Sequence, residues 1–145
     1  MSKASDYLEE KLMRHTFGAV AFTAPTVLGV ALHTTDPTDA DSGLEAGTAG
    51  AGTYQAYSRV QADAGTVNWT FWQAGTTGSI SNKLAFTFPQ GTGTDSQTLA
   101  FFGVYDATVV GVGNLLCYGP LNSNLAVSPG VTPEFAIGAL VITLA

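Results

Sequence analysis

Two histidines, His15 and His33, are the only imidazole side chains in the chain, so they come first as candidate catalytic groups. Hydrolysis through a nucleophile would need a serine or cysteine held by one of them and a carboxylate that orients the ring. Serines and aspartates are numerous, but no Gly-x-Ser-x-Gly turn occurs, and His33 ends a predicted strand just before a turn. We therefore expect His33 to hydrogen-bond the turn, and we expect no catalytic residues and no enzymatic activity.

Three carboxylates lie close together in the segment Asp39-x-Asp41-x-Gly43-x-Glu45, as a calcium site would require. The pattern lacks a third oxygen ligand at the required spacing, its glycine comes one place early, and its glutamate is misplaced. We interpret residues 36–45 as an acidic, exposed, turn-rich loop and expect no metal. The Gly-x-Gly pairs of the chain do not lie at strand-to-helix junctions, so we expect no phosphate-binding loop and no cofactor.

Four aromatic residues, Tyr54, Tyr57, Trp69 and Trp72, could stack on sugar rings if they were exposed. Trp69 and Trp72 are three residues apart in a predicted strand and do not form one platform, so packing in the core is the default interpretation. A carbohydrate-binding module therefore remains an alternative function, and the exposure of these rings decides it.

The composition limits the classes of partner. The 145 residues are 46% hydrophobic but only 11% charged, which suggests that much of the surface faces other subunits. A net charge of −6 with five basic residues predicts no direct nucleic-acid binding. The single Cys117 allows no intrachain disulfide. No apolar stretch reaches the roughly 18 residues of a membrane helix, so we expect no membrane partner.

The most apolar part of the chain predicts a buried β-hairpin. Residues 99–105 are apolar on both alternating faces, which is typical of a central strand covered on both sides. A glycine-rich turn at residues 111–114 is followed by a return strand that we expect to end at Pro120, since proline cannot donate to a ladder. The residues expected to be mostly buried are Phe101, Phe102, Val104, Leu116 and Tyr118.

The remaining pattern predicts a helix followed by short strands. Residues 2–16 form the predicted helix, with Ser2 or Ser5 as its N-cap and Gly18 as its stop. Short apolar runs separated by Gly-, Ser- and Thr-rich turns favour strands at 26–34, 54–60, 67–72, 84–88, 125–127, 132–137 and 139–144. The predicted fold is all-β: a single antiparallel, jelly-roll-like β-sandwich over residues 19–145, preceded by an N-terminal helical region over residues 1–18.

The helix is the predicted assembly element. About a dozen residues are marginal as an isolated helix in water, so packing must stabilise it. We expect this helix and the adjoining segment to contact other copies or a shell protein. The proposed interface residues are Tyr7, Leu8, Leu12, Phe17 and Phe22.

Several blocks, in this order, resemble a known family: SKASDYLEEKLMRHTF, APTVLGVALHTTDPTDA, the hairpin FFGVYDA with GNLLCYGPL, and the ending SPGVTPEFAIGALVITL. The chain resembles small virion proteins of tailed bacteriophages, labelled head-decoration, cement or tail-fibre-like proteins. The resemblance spans nearly the whole chain and implies a structural role with no catalytic residues.

The function that follows is a non-enzymatic virion component. Because the chain has no fibrous repeat, the leading hypothesis is a capsid decoration or cement protein that stabilises the head, bound to the major capsid protein at the capsid surface. The alternatives are a tail-fibre or baseplate-associated protein, or a carbohydrate-binding module of the tail. We expect a homo-oligomer with closed cyclic symmetry, and a trimer suits the local three-fold positions of a shell.

Overall fold

The computed structural model describes residues 2–48, 53–71 and 78–143. One helix and ten strands make up this part of the chain. In chain order they are β1 (Lys3–Ala4), α1 (Asp6–Phe17), β2 (Gly29–His33), β3 (Val60–Gln61), β4 (Trp69–Phe71), β5 (Ser79–Asn82), β6 (Phe86–Thr87), β7 (Gln97–Tyr105), β8 (Leu115–Val127), β9 (Glu134–Phe135) and β10 (Val141–Thr143).

The strands form three antiparallel sheets. The largest has five strands in the order β1-β8-β7-β2-β3, and the others are β10-β5-β4 and the pair β6-β9. All three sheets contribute to one apolar core, which includes Leu32, Trp69, Phe86, Phe102 and Leu140. The predicted all-β, sandwich-like fold is therefore confirmed.

The central hairpin is formed by β7 and β8, and β7 lies between β8 and β2. Its two-sided burial is confirmed, since Phe102 joins the main core while Tyr105 packs on the opposite face in a second cluster. The turn contains Gly113 with a φ of 86°, where a Cβ atom would lie 2.5 Å from an oxygen of Asp106. Four of the five residues expected to be buried are buried, and the fifth, Phe101, is half-buried.

Strand β8 continues through Pro120, which corrects the expectation that it would stop there. Pro120 is exposed and pairs with Phe101, and it lies beyond the positions of β8 that pair with β1. Four residues of β8, 121–124, then lie opposite the single residue Ala100 of β7. Proline is tolerated at such an edge and beside a bulge. The segment expected as a separate strand at 125–127 is therefore not separate, because β8 continues through it to Val127.

The helix begins at Asp6, four residues later than predicted, because Ser5 is the N-cap and its side chain accepts from the Leu8 amide. Lys3 and Ala4 are extended and pair with β8, so they belong to the five-stranded sheet. The predicted stop at Gly18 is confirmed, since its amide donates to the Arg14 carbonyl.

Several strands are shorter than predicted. Only Val60 of the predicted strand 54–60 lies in a strand, and β4, β6, β9 and β10 occupy two or three residues each. The surrounding residues are held by turns and side-chain bonds instead. The Tyr54 hydroxyl donates to the Pro89 carbonyl, and Asn82 binds the carbonyls of Leu84, Phe135 and Ala136. Apolar periodicity marks residues that are buried, whether or not they pair in a ladder.

Candidate assembly interface

Residues 6–25, here called the arm, lie mostly outside the packed body. They comprise α1 and the irregular segment that leads towards β2. No residue of α1 is buried, and the ten consecutive residues 12–21 are all exposed. A helix that lacks a buried face in its own subunit gains little stability from packing there. The arm therefore contains the longest run of exposed residues in the described chain.

Both ends of the arm are anchored to the body through the main chain. At its start, the Ser5 amide donates to the Leu116 carbonyl and the Asp6 amide donates to the Asp39 carbonyl, each at 3.0 Å. At its end, the Thr26 carbonyl accepts from the Ala64 amide at 3.0 Å. Both ends of the arm are thus held by the body, while residues 12–21 in its middle are exposed.

The segment that follows α1 folds back on the helix. The Val20 amide donates to the Arg14 carbonyl at 3.2 Å, and the Phe22 amide donates to Nδ1 of His15 at 3.3 Å. Ala19 adopts a φ of 51°, which reverses the chain. His15 therefore serves to hold the return segment of the arm.

The proposed interface residues divide into two groups. Tyr7, Leu8 and Phe22 are half-buried, whereas Leu12 is 41% and Phe17 is 78% exposed. Sequence reasoning missed Met13 and Val20, which are 59% and 52% exposed. The spacing of Met13 and Phe17 could have identified Met13, since i and i+4 lie on one side of a helix. Val20 lies beyond the end of α1, in the segment that folds back at Ala19. That the proposed interface residues contact a partner stays a prediction.

At another part of the molecule, the acidic segment 36–45 packs on the five-stranded sheet. The Tyr105 hydroxyl donates to Asp41 at 2.6 Å, and the Tyr118 hydroxyl donates to Asp39. The expectation of a simply solvated loop is therefore wrong for Glu45, which is 6% exposed, although Asp39 and Asp41 remain exposed. The two tyrosines cover the second face of the sheet and leave only their hydroxyls to be paired.

Glu45 forms a buried ion pair with Arg59. The carboxylate also accepts from the Tyr57 hydroxyl at 3.0 Å and from the Gly111 amide at 3.3 Å. Arg59 in turn donates to the carbonyls of Ala107 and Val112 at 2.9 and 2.7 Å. One carboxylate and one guanidinium thus join the acidic segment to the β7–β8 turn.

These bonds also bear on metal binding. Asp39, Asp41 and Glu45 are each engaged by a different protein group, and within residues 2–48, 53–71 and 78–143 no three His, Cys, Asp or Glu side chains converge as metal ligands. The same described ranges contain no helix long and apolar enough to cross a membrane.

His33 lies in the sheet, apart from His15 of the arm. It is completely buried, its Nε2 lies 3.1 Å from the Tyr105 hydroxyl, and its Nδ1 has no hydrogen-bond partner. The expected bond to the turn is therefore replaced by one to the neighbouring strand. Burial lowers the pKa of His33 to about 4, against the opposing effect of Glu45 and Asp41. The imidazole is neutral at physiological pH.

The aromatic residues considered for sugar binding do not form an exposed platform. Tyr54 and Trp69 are buried, at 1% and 3% exposure, and Tyr57 is half-buried. The Trp69 ring nitrogen donates to the Ala62 carbonyl at 3.0 Å, so its polar edge is also used within the fold. Trp72 lies outside the described residues. The carbohydrate-binding hypothesis fails for the three rings that the structure describes.

The described part of the chain is a β-rich body with an arm whose middle is exposed. The family model described as Podophage GP4 fiber I protein gp80 matches residues 3–143, and the chain belongs to this family. This match confirms the prediction, made from the resemblance, that the chain belongs to a family of bacteriophage virion proteins. No curated protein matches the chain significantly.

Proposed function

We propose that this chain is a non-enzymatic structural subunit of a bacteriophage tail fibre. The family match over residues 3–143 supports this position, because the family is described as a fibre protein. It favours the tail-fibre alternative over the capsid decoration that the sequence made the leading hypothesis. The short strands and compact core suit a globular module of a fibre rather than a repetitive shaft.

The observation that carries the assembly role is the arm. Ten consecutive exposed residues include Leu12, Met13, Phe17 and Val20, and these are the apolar side chains that a partner would cover. Scattered apolar residues on a surface are ordinary, but a cluster on one protruding element is typical of an interaction site. The proposed partners are further copies of this chain and neighbouring virion proteins.

We expect the copies to associate with closed cyclic symmetry, as identical subunits usually do, and the state we propose is a trimer. Met13→Asp tests the arm because it places a charge on an exposed apolar position and disturbs no buried contact. Val109→Asp is the matched control, since Val109 is 61% exposed in the β7–β8 connection. Light scattering after size-exclusion chromatography should give a smaller mass for Met13→Asp alone.

The position in the particle is tested separately. Antibody labelling of intact virions should mark the tail, and quantitative mass spectrometry should find a few to dozens of copies per particle. Hundreds of copies spread over the head would instead support capsid decoration. If both variants have the mass of the natural protein and both are incorporated into particles, the arm is not the assembly element.

A further inference from the structure

An open groove is lined by residues of β8, β9 and β10, so that all three sheets border it. Its volume is about 710 Å³. The lining is mixed, since Leu121 and Phe135 are apolar whereas Asn122 and Ser123 are polar, and Glu134 is the only charged residue among the described residues that line it. The groove therefore offers hydrogen-bonding groups as well as apolar contacts.

Within the groove, the Ser2 side chain takes the place of a neighbouring strand. Its hydroxyl accepts from the Thr143 amide at 2.7 Å and donates to the Thr143 carbonyl at 3.0 Å. In an antiparallel ladder, one residue of the neighbouring strand makes both of these bonds. The N–H and C=O of Thr143 therefore point away from β5, towards the space that a further strand would occupy.

The alternation of β10 leaves the next such position open. The Asn82 amide donates to the Leu140 carbonyl at 3.2 Å, so the main chain of Leu140 faces β5. Main-chain groups of successive residues in a strand point to opposite edges, so those of Val141 face away from β5, as those of Thr143 do. In the described part of the chain, no group bonds the N–H or C=O of Val141. Val141 lines the groove and is 50% exposed.

The same geometry occurs at β9. The Phe88 amide donates to the Pro133 carbonyl at 2.9 Å, so the main chain of Pro133 points to the β6 side and that of Glu134 points away from it. No described residue bonds the main chain of Glu134. Strand edges with unpaired N–H and C=O groups thus occur at two residues that line the groove, Val141 and Glu134. An unpaired edge is a template for another extended chain.

We propose that the groove binds an extended segment of another polypeptide, which adds to the free edge of β10 as a further strand. The main chain of such a segment supplies the C=O and N–H that Val141 lacks, as the Ser2 hydroxyl does for Thr143. Apolar side chains of the segment can pack against Leu121 and Phe135, which are half-buried. This surface is separate from the arm, so the inference goes beyond the proposed function.

The charge of the lining specifies the segment further. Glu134 is exposed, and its Oε2 accepts from the Thr87 hydroxyl at 2.7 Å. A basic residue of the segment that lies beside Glu134 would be attracted to it, and an acidic one would be repelled. The expected occupant is therefore an extended segment with apolar residues at alternate positions and a lysine or arginine next to them.

A synthetic peptide tests this binding mode. The probe is a capped, fluorescently labelled peptide of about seven residues that alternates valine and threonine between terminal lysines. The matched control peptide has the same side chains but carries a methyl group on each main-chain nitrogen, so it cannot donate to a strand edge. Fluorescence anisotropy measures binding to the full chain, and amide hydrogen exchange followed by NMR locates the bound peptide.

Two variants at one position separate main-chain pairing from side-chain contact. Val141→Pro removes the N–H that faces the groove, and it preserves the ladder between β10 and β5 because this N–H takes no part in it. Val141→Thr keeps both the N–H and a branched side chain of similar size. Urea unfolding establishes whether each variant is folded before its binding is measured.

The expected result is saturable binding of the unmethylated peptide, with slower exchange of the Val141 amide. Val141→Pro should weaken binding by about three- to tenfold, as the loss of one main-chain hydrogen bond predicts, and Val141→Thr should bind as the natural protein does. Absence of saturable binding overturns the inference. So does equal binding of the methylated peptide, or binding that leaves the Val141 amide unprotected, and these two measurements decide the question even if Val141→Pro does not fold.

Discussion

Nε and Nη2 of Arg59 donate to the two carboxylate oxygens of Glu45 at 2.7 and 2.8 Å, and both side chains are almost completely buried. This two-pronged geometry is the strongest arrangement available to the pair. The Arg59 guanidinium also lies 3.7 Å from the centroid of the Tyr105 ring. The pair therefore connects the acidic segment, β3 and the β7–β8 hairpin at one point.

Arg59→Met should destabilise the fold by about 3–5 kcal/mol, because it leaves a buried carboxylate without its counter-charge. The double variant with Glu45→Gln should lose less than the sum of the two single variants, since no unpaired charge then remains. Urea unfolding of the four proteins measures this coupling. Additive losses would mean that the two side chains act independently.

Phe102→Ala should cost about 3–5 kcal/mol, since Phe102 is 5% exposed and packs against the edge of the Phe135 ring. Phe17→Ala is the matched control, because the same side chain is removed from a position that is 78% exposed. It should change the unfolding free energy of the isolated subunit by less than about 0.5 kcal/mol. A Phe102→Ala loss below about 1 kcal/mol would contradict the two-sided burial of β7.

The sequence was sufficient to predict the central hairpin, because two independent signals agreed there. Apolar residues on both faces of 99–105 indicated a covered strand, and glycines at 111 and 113 indicated a turn with positive φ. Local conformation and burial pointed to the same structure, which is when prediction from sequence works best.

The polar network could not be predicted, because its members are distant in sequence. Glu45 and Arg59 are 14 residues apart, and Tyr105 meets Asp41 across 64 residues. The short-range pattern of carboxylates in 39–45 indicated only an acidic loop. The fold decides which of these carboxylates is buried, because it is the fold that brings Arg59 next to Glu45 and the two tyrosines next to Asp39 and Asp41.

The uncovered face of α1 was predicted only in part. Phe17 was among the expected interface residues, but Met13, four residues before it on the same side of the helix, was not. Leu8, which was also expected at the interface, lies on another side of α1. A helix with apolar residues on two sides suggests two partners. Only the fold shows which of them is the body of the same subunit.

Metal removal gives a simple test of the acidic segment. Excess chelator should leave the thermal midpoint unchanged, because Asp39, Asp41 and Glu45 are paired with Tyr118, Tyr105 and Arg59. Differential scanning calorimetry with and without chelator measures this. A fall of several degrees that added calcium reverses would show that a bound ion stabilises the fold, as mass action requires.

Acid should destabilise the protein through His33. Its pKa is about 4 in the folded protein and near 6.5 in an unfolded chain, so the unfolded state binds more protons between these values. The neutral, buried imidazole thus contributes stability that is fully present above pH 6.5 and is lost as the pH falls towards 4. The loss from this one group is roughly 3 kcal/mol, from about 1.4 kcal/mol per pKa unit.

His33→Gln isolates this contribution, because glutamine has no proton to gain. Urea unfolding at a series of pH values between 7 and 4 should give a shallower fall in stability for His33→Gln than for the natural protein. His15→Gln retains His33 and should retain the steep fall. The acidic side chains are the same in all three proteins, so the difference between their curves belongs to the histidine. If His33→Gln and the natural protein lose stability in parallel, protons reach the imidazole without unfolding, and its burial does not control the acid response.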